Sequence, residues 1–387
     1  MATKHGIEVS IAAAEAIKQA NVDVIAAYPI TPQTHIVEHL AELVNNGELD
    51  AEFIPVESEH SAMSVCTGSS AAGARSFTCT SSQGLALMSE IVYITASLRL
   101  PIVMLLANRT LSGPLSIWND HSDVMSIRDC GWIQVFVENG QEVYDHVFIS
   151  YRVAEDRNCL LPFIVNLDGF ILTHMVEPIE FLNQEIVDRY LPPYHPLYSL
   201  HPDHPVTIGA FSTPALYTET KKAQDEALKE AMPHILKGWQ EFGDLTGRYY
   251  HPIEPYKTED AKIIIVTQGS LGETASIAID DLREKGEAVG LVKIRLWRPF
   301  PVREFREAVK GAELVVVMDR AISYGASAGP LAMEIRAALY SEEDRPRVVN
   351  WIAGLAGRDV APEDFIKMIQ QAKKMSGEGY EIYAVRE

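Results

Sequence analysis

Six short strand-like runs recur through the first 170 residues at spacings that leave room for a helix between them. No other feature constrains the fold as much. The runs are Asp23–Ala27, Ala51–Val56, Ser76–Thr80, Pro101–Ala107, Trp132–Val137 and Pro162–Leu167. Segments of helical pattern separate them, including Gln83–Leu98, apolar all round, and the amphipathic Gln141–Asp156. Parallel strands need long crossovers, so this alternation predicts a parallel sheet covered by helices on both faces. The small residues of SAMSVCTGSSAAGA at 61–74 predict a helix packed close against that sheet.

At 387 residues the chain exceeds what one hydrophobic core usually organises, and the rhythm divides it. Residues 1–177 read as the first α/β domain. Residues 178–260 read as an irregular excursion and linker, because LPPYHPLYSLHPDHPV at 191–206 is too rich in proline for regular structure; one polar helix is expected over Thr218–Gln240. Residues 261–387 read as a smaller α/β domain of about four parallel strands, at 263–269, Ala288–Ile294, Glu313–Met318 and Arg347–Ile352. Helices are expected there at Gly272–Lys285, Val302–Lys310, Gly329–Tyr340 and Pro362–Lys373.

The opening MATKHGIEVSIAAAEAIKQAN lacks a basic flank and reads as an amphipathic helix, not a signal peptide. No window reaches the roughly 18–20 apolar residues of a membrane span. A cytoplasmic protein is expected, with no membrane partner. Its 53 acidic against 33 basic residues give a net charge of −20, which disfavours nucleic acid as a partner. Cys66, Cys79, Cys130 and Cys159 are far apart, without the close spacing of zinc or iron–sulfur ligands, and read as buried thiols.

Ligands of parallel α/β sheets bind at the carboxyl ends of the strands. There YPITPQT (28–34) follows the first strand and FIPVESEHSA (53–62) ends the second. Pro29 and Pro32 stiffen the loop that holds the Thr31 hydroxyl, although Thr31 also suits a plain turn. Glu59 opens a helix, where an acid complements the macrodipole or faces a pocket. Arg109, just past the strand Pro101–Ala107, begins a long loop at 107–129. It can grip a carboxylate with two parallel hydrogen bonds or pair with Asp120, Asp123 or Asp129. The GSLGET turn at 269–274 matches no phosphate-binding fingerprint and reads as packing, which also argues against a nucleotide-binding Rossmann protein. HPDH at 201–204 cannot align its histidines on a helix and reads as a surface loop.

YPITPQT, ESEHSA, TSSQGLALM (80–88), ANR (107–109), DHSD (120–123), NLDGFILTH (166–174), IRLWRPFP (294–301) and GLAGRDV (354–360) together resemble the α subunit of pyruvate:ferredoxin oxidoreductase (pyruvate synthase) in the 2-oxoacid:ferredoxin oxidoreductase family. The resemblance covers nearly the whole chain. It implies a pyrimidine-type thiamine-diphosphate domain followed by a transketolase C-terminal-like domain. Glu59 is then the catalytic acid that hydrogen-bonds N1′ of the thiamine aminopyrimidine, with Pro29 beside the cofactor and Thr31 and Arg109 holding the 2-oxoacid carboxylate. Pyruvate is oxidatively decarboxylated with coenzyme A as acyl acceptor and ferredoxin as electron acceptor.

Nothing here resembles the GDG…N segment that holds magnesium and the diphosphate, and no cluster ligands are spaced for one. The resemblance therefore assigns Mg2+ and 4Fe–4S clusters to β-, γ- and δ-type partner subunits, with thiamine diphosphate at the interface with the β-type chain. The acidic balance disfavours this chain as the docking face for ferredoxin. Other 2-oxoacids (branched-chain, 2-oxoglutarate, oxalate) and a non-catalytic scaffold subunit are the competing expectations.

Overall fold

A computed structural model describes residues 4–209 and 211–386. The chain runs β1 (Lys4–Glu8), α1 (Val9–Gln19), β2 (Val24–Ala27), α2 (Thr34–Asn45), β3 (Glu52–Pro55), α3 (Glu59–Ala71), β4 (Ser76–Thr80), α4 (Ser82–Ser97) and β5 (Val103–Asn108). It continues with α5 (Ser122–Ser126), β6 (Ile133–Phe136), α6 (Gly140–Ala154), β7 (Phe163–Asp168), β8 (Val176–Glu180), α7 (Gln184–Tyr190), α8 (Pro214–Glu230), α9 (Met232–Thr246) and β9 (Ile253–Tyr256). The remainder is β10 (Ile263–Thr267), α10 (Leu271–Glu284), β11 (Val289–Ile294), β12 (Leu296–Arg298), α11 (Val302–Ala308), β13 (Leu314–Asp319), α12 (Pro330–Leu339), β14 (Arg347–Ile352), α13 (Pro362–Ala372) and β15 (Glu381–Ile382).

Six of these strands form the expected parallel sheet, in the order β6-β7-β5-β4-β2-β3, and β12 adds antiparallel to β6 as a seventh. β4, β5, β6 and β7 are buried along their whole length, and all but the hydroxyl-rich β4 are mainly apolar. Helix starts follow local chemistry. Ser58 caps α3 by accepting from Ser61 N at 3.3 Å, and Asn139 caps α6 by accepting from Glu142 N at 3.0 Å. The second sheet has the order β15-β14-β13-β10-β11-β9, with the four expected strands at its centre.

Three expectations need correction. Residues 4–8 are not the start of the first helix; they form β1, paired antiparallel with β8. The partner strand lies far away in sequence, so nothing local announces the pairing. The excursion at 178–260 is more ordered than a linker with one helix. It holds α7, α8 and α9, the last two divided near Pro233, whose missing N–H and ring interrupt continuous helix. Finally, the smaller sheet has two further edge strands, β9 and β15, while β12 leaves it for the larger sheet.

That exchange couples the two halves. One apolar cluster runs from Met63, Leu85 and Met88 under the first sheet through Trp132 and Phe136 to Trp297, Phe305, Val317 and Ile335 of the second. One buried and one partly buried ion pair reinforce it. Arg295, after β11, meets Glu142 of α6 at 2.6 Å, and Lys293 meets Glu138 at 2.7 Å.

Candidate functional site at the carboxyl edge of the larger sheet

Along the carboxyl edge, four neighbouring strands deliver their terminal residues side by side. β5 leads to Arg109, β4 ends in Thr80 and is followed by Ser81, β2 leads to Thr31, and β3 leads to Glu59 at the start of α3. The strand between the two predicted substrate loops is therefore β4, whose end sequence reasoning left out of the site.

The Thr31 loop is held from inside. Gln33, fully buried, donates from Nε2 to Tyr28 O at 2.8 Å, and its backbone N–H donates to Ile30 O at 3.0 Å. Tyr28, Pro29 and Thr31 remain exposed. Arg109 is buried and makes none of the ion pairs considered for it. Its Nε donates to Ser116 O at 2.9 Å and its Nη1 to Thr31 O at 3.0 Å. Nη2 has no hydrogen-bond partner among the described residues, so one face of the fork is free for an anion. Burial lowers the Arg109 pKa, partly opposed by nearby Asp123.

Asp123, from DHSD, organises both sides of this arrangement. Its carboxylate accepts from Ser82 N at 3.1 Å, Arg109 N at 3.0 Å, Asn108 Nδ2 at 3.1 Å and Val124 N at 2.8 Å. Ser82 is thereby held at a φ of 46°, a left-handed conformation unusual for a non-glycine residue. Burial pushes the Asp123 carboxyl up to about 7, with those donors pulling it down.

Glu59 is 7% exposed, and its carboxylate has no hydrogen-bond partner among the described residues. The hydroxyls of Thr80 and Ser81 are also buried and without partners. Buried polar atoms are nearly always paired, so the unpartnered Thr80 hydroxyl, in the same small space as the unpartnered Glu59 carboxylate, marks a ligand-facing wall. Gly84 lines the same space. A Cβ there would overlap Thr80 Oγ1 and lie 2.8 Å from both Cγ and Oε1 of Glu59.

The second half of the chain braces the Arg109 loop. Asp168, ending β7, accepts from His121 Nε2 at 2.9 Å, Asn119 Nδ2 at 3.0 Å, Arg320 Nη1 at 2.7 Å and Ser270 N at 2.9 Å. Burial alone would raise its pKa, but Arg320 and His121 hold it far below the usual carboxylate range. The GSLGET turn is accordingly part of this clamp. Gly269 has a φ of 70°, and a Cβ there would sit 2.8 Å from Asp168 Oδ2. In GLAGRDV, Gly357 N donates to Asn119 O at 2.6 Å, and Trp118 packs on Gly357 and on Phe170, the two ring centroids 4.6 Å apart.

Elsewhere, His201 and His204 form an isolated bridge in an exposed loop. All four cysteines are buried and free, and burial pushes the thiols of Cys66, Cys130 and Cys159 up to about 12. No helix among the described residues is long and apolar enough to cross a membrane.

A parallel α/β unit joined to a smaller α/β unit is an architecture found among thiamine-diphosphate-type oxidoreductase subunits. Comparison with known proteins agrees. Residues 15–237 match the thiamine-diphosphate-binding part of pyruvate flavodoxin/ferredoxin oxidoreductase, and residues 261–365 match core domain II of pyruvate:ferredoxin oxidoreductase. Pyruvate synthase subunit PorA of Methanothermobacter thermautotrophicus is 50% identical, over 95% of this chain and 94% of the relative. Ketoisovalerate oxidoreductase subunit VorA of Pyrococcus abyssi is 44% identical, over 97% of this chain and 94% of the relative.

Among solved structures, the chain is similar to the 2-oxoglutarate:ferredoxin oxidoreductase of Magnetococcus marinus, with a TM-score of 0.69 and 20% identity over 96% of this chain. It spans 65% of that longer chain. It is also similar to a split-gene transketolase, with a TM-score of 0.57 and 13% identity over 95% of this chain and 99% of the other. These two likenesses concern the fold. The chain belongs to the pyruvate:ferredoxin oxidoreductase family.

Proposed function

We propose that this chain is the α subunit of a multi-subunit enzyme that oxidatively decarboxylates pyruvate to acetyl-coenzyme A and CO2. Thiamine diphosphate would lie between this chain and a β-type partner. The observation that carries the reading is the Glu59 carboxylate, nearly buried, unpartnered and in line with the Arg109 and Thr31 loops. Bound thiamine diphosphate supplies the nucleophilic carbon and the electron sink for decarboxylation. The chain's own part is to hold a proton between Glu59 and N1′ of the pyrimidine, to receive the 2-oxoacid carboxylate at the free edge of Arg109 and at Thr31, and to shape a dry pocket. Pro29 lies in the same loop, beside the expected cofactor position.

Exposed apolar side chains ring this edge: Tyr28, Leu115, Ile117, Trp118, Ile171 and Met175. Leu115 is 76% exposed, and such a patch around a site supports a face covered by another subunit. The β-type partner would bring Mg2+ and the diphosphate site, with 4Fe–4S clusters, the route to ferredoxin and γ- and δ-type chains completing the assembly. Coenzyme A would accept the acyl group.

In the assembled enzyme, Glu59→Gln is expected to lose about 10²–10⁴-fold in turnover, the usual range for a proton-transfer group. Near wild-type turnover would reject the assignment. A branched-chain 2-oxoacid is the second reading, favoured by the 44% identity to the ketoisovalerate subunit. Comparing kcat/KM for pyruvate and 2-oxoisovalerate separates the two. A scaffold role predicts that Glu59→Gln leaves thiamine diphosphate affinity and turnover untouched.

A further inference from the structure

β4 ends between the two loops to which the site is assigned, yet no role has been given to what it presents there. Thr80 is its last residue, fully buried, and its hydroxyl has no partner among the described residues. An unpaired buried hydroxyl costs roughly 1–3 kcal/mol of desolvation; Thr78 of the same strand carries one too, so what distinguishes Thr80 is the group it faces. Valine has the same shape without that cost. The hydroxyl also borders the same small space as the Glu59 carboxylate, because the absent Cβ of Gly84 would meet both groups.

We propose that Thr80 is a positioning residue for Glu59: its hydroxyl donates to the Glu59 carboxylate when the pyrimidine ring closes the pocket, holding the acid oriented toward the ring. This rests on Glu59 acting on the pyrimidine as proposed above. The arrangement explains why the strand end carries an orphaned donor and why α4 places a glycine against it. Glu59 at the start of α3 can swing about its own side-chain torsions, and a donor fixed at a strand end limits that swing. Thr80 itself touches neither the 2-oxoacid nor its carboxylate ligands in this scheme.

The test uses the assembled enzyme with Thr80→Val, Thr80→Ser, Glu59→Gln and the double variant Thr80→Val/Glu59→Gln. Without 2-oxoacid, the rate of hydrogen–deuterium exchange at C2 of bound thiamine diphosphate reads how well Glu59 is oriented. Thr80→Val is expected to slow that exchange about tenfold, the loss of one charge-assisted hydrogen bond, and to leave the KM for 2-oxoacid unchanged. Thr80→Ser restores exchange to within about threefold, since it keeps the donor. In the cofactor-free assembly Thr80→Val keeps or raises Tm, because it removes an unpaired polar atom.

Wild-type exchange in Thr80→Val overturns the proposal, as does a fall in cofactor-free Tm, which would show a structural hydroxyl. The double variant is expected to exchange no more slowly than Glu59→Gln; a multiplied loss shows that Thr80 acts independently of Glu59 and also overturns it. If Thr80→Val does not assemble, Thr80→Ala takes its place. Failure of both to assemble, while Thr80→Ser does, again assigns a structural role. Should Glu59→Gln itself exchange normally, it is the Glu59 reading that fails, and that result is separable from any outcome at Thr80.

Discussion

The guanidinium of Arg109 donates a 3.0 Å hydrogen bond to the carbonyl oxygen of Thr31, so two loops that leave β5 and β2 are tied across the end of β4. The backbone of one loop thereby orients the cation of the other. In the proposed reading, an anion entering between them would meet the free edge of the guanidinium and the Thr31 loop.

Arg109→Lys keeps the charge but loses the planar fork, and with it either the brace to Thr31 or the hold on the substrate. The expected outcome is a rise of about tenfold in the KM for 2-oxoacid, with thiamine diphosphate affinity unchanged. Steady-state kinetics beside a cofactor titration checks this. An unchanged KM reduces Arg109 to a loop brace.

Gly84→Ala puts a methyl group against Thr80 Oγ1 and the Glu59 side chain. The Thr80 hydroxyl, on a buried strand end, is the nearer neighbour and has little room to move, and Glu59 can clear the methyl only by leaving its present orientation. Turnover is expected to fall by as much as about a hundredfold, the scale of an ångström-sized misplacement. Overpacking should cost about 1–3 kcal/mol of stability. Activity and thermal unfolding together test it, and normal turnover would mean that Glu59 has more room than its surroundings indicate.

Asp168→Asn leaves Arg320 buried without its counter-ion and is expected to destabilise by about 3–5 kcal/mol at neutral pH. The sign of the pH dependence follows from the depressed pKa. In the folded chain Asp168 stays ionised below the unfolded range near 3.9, so its stabilisation is complete above that pH and is lost as pH falls further. The gap between wild type and variant should therefore narrow on acidification below about pH 4. Denaturant unfolding across pH checks this, and a constant gap would exclude the ionised carboxylate as the source.

The six strands of the larger sheet were legible as short runs with helix-length spacing, most plainly the fully buried β5, β6 and β7, and their ends were readable to within two residues. Glu59, Thr31 and Arg109 stood out because each follows such a run directly. β1 and β8 were not legible, since an antiparallel pair joined across the whole first unit leaves no local pattern. Nor was β12, whose three residues pair with the other sheet. Thr80 and Ser81 were hidden for another reason: hydroxyl residues at a strand end look ordinary until their neighbours are known to offer no partner.

By itself, the order of residues determined the main parallel strands of both sheets, the helices between them and the side chains standing at strand ends, because periodicity and turn chemistry act over a few residues. Which ends lie side by side was decided only in three dimensions. The spatial order β5-β4-β2-β3 departs from chain order, and it alone sets Thr80 between Arg109 and Thr31. The bracing of the Arg109 loop was likewise a tertiary outcome. Asp168 and Arg320 are separated by 152 positions, and burying their opposite charges together is what keeps that loop in place.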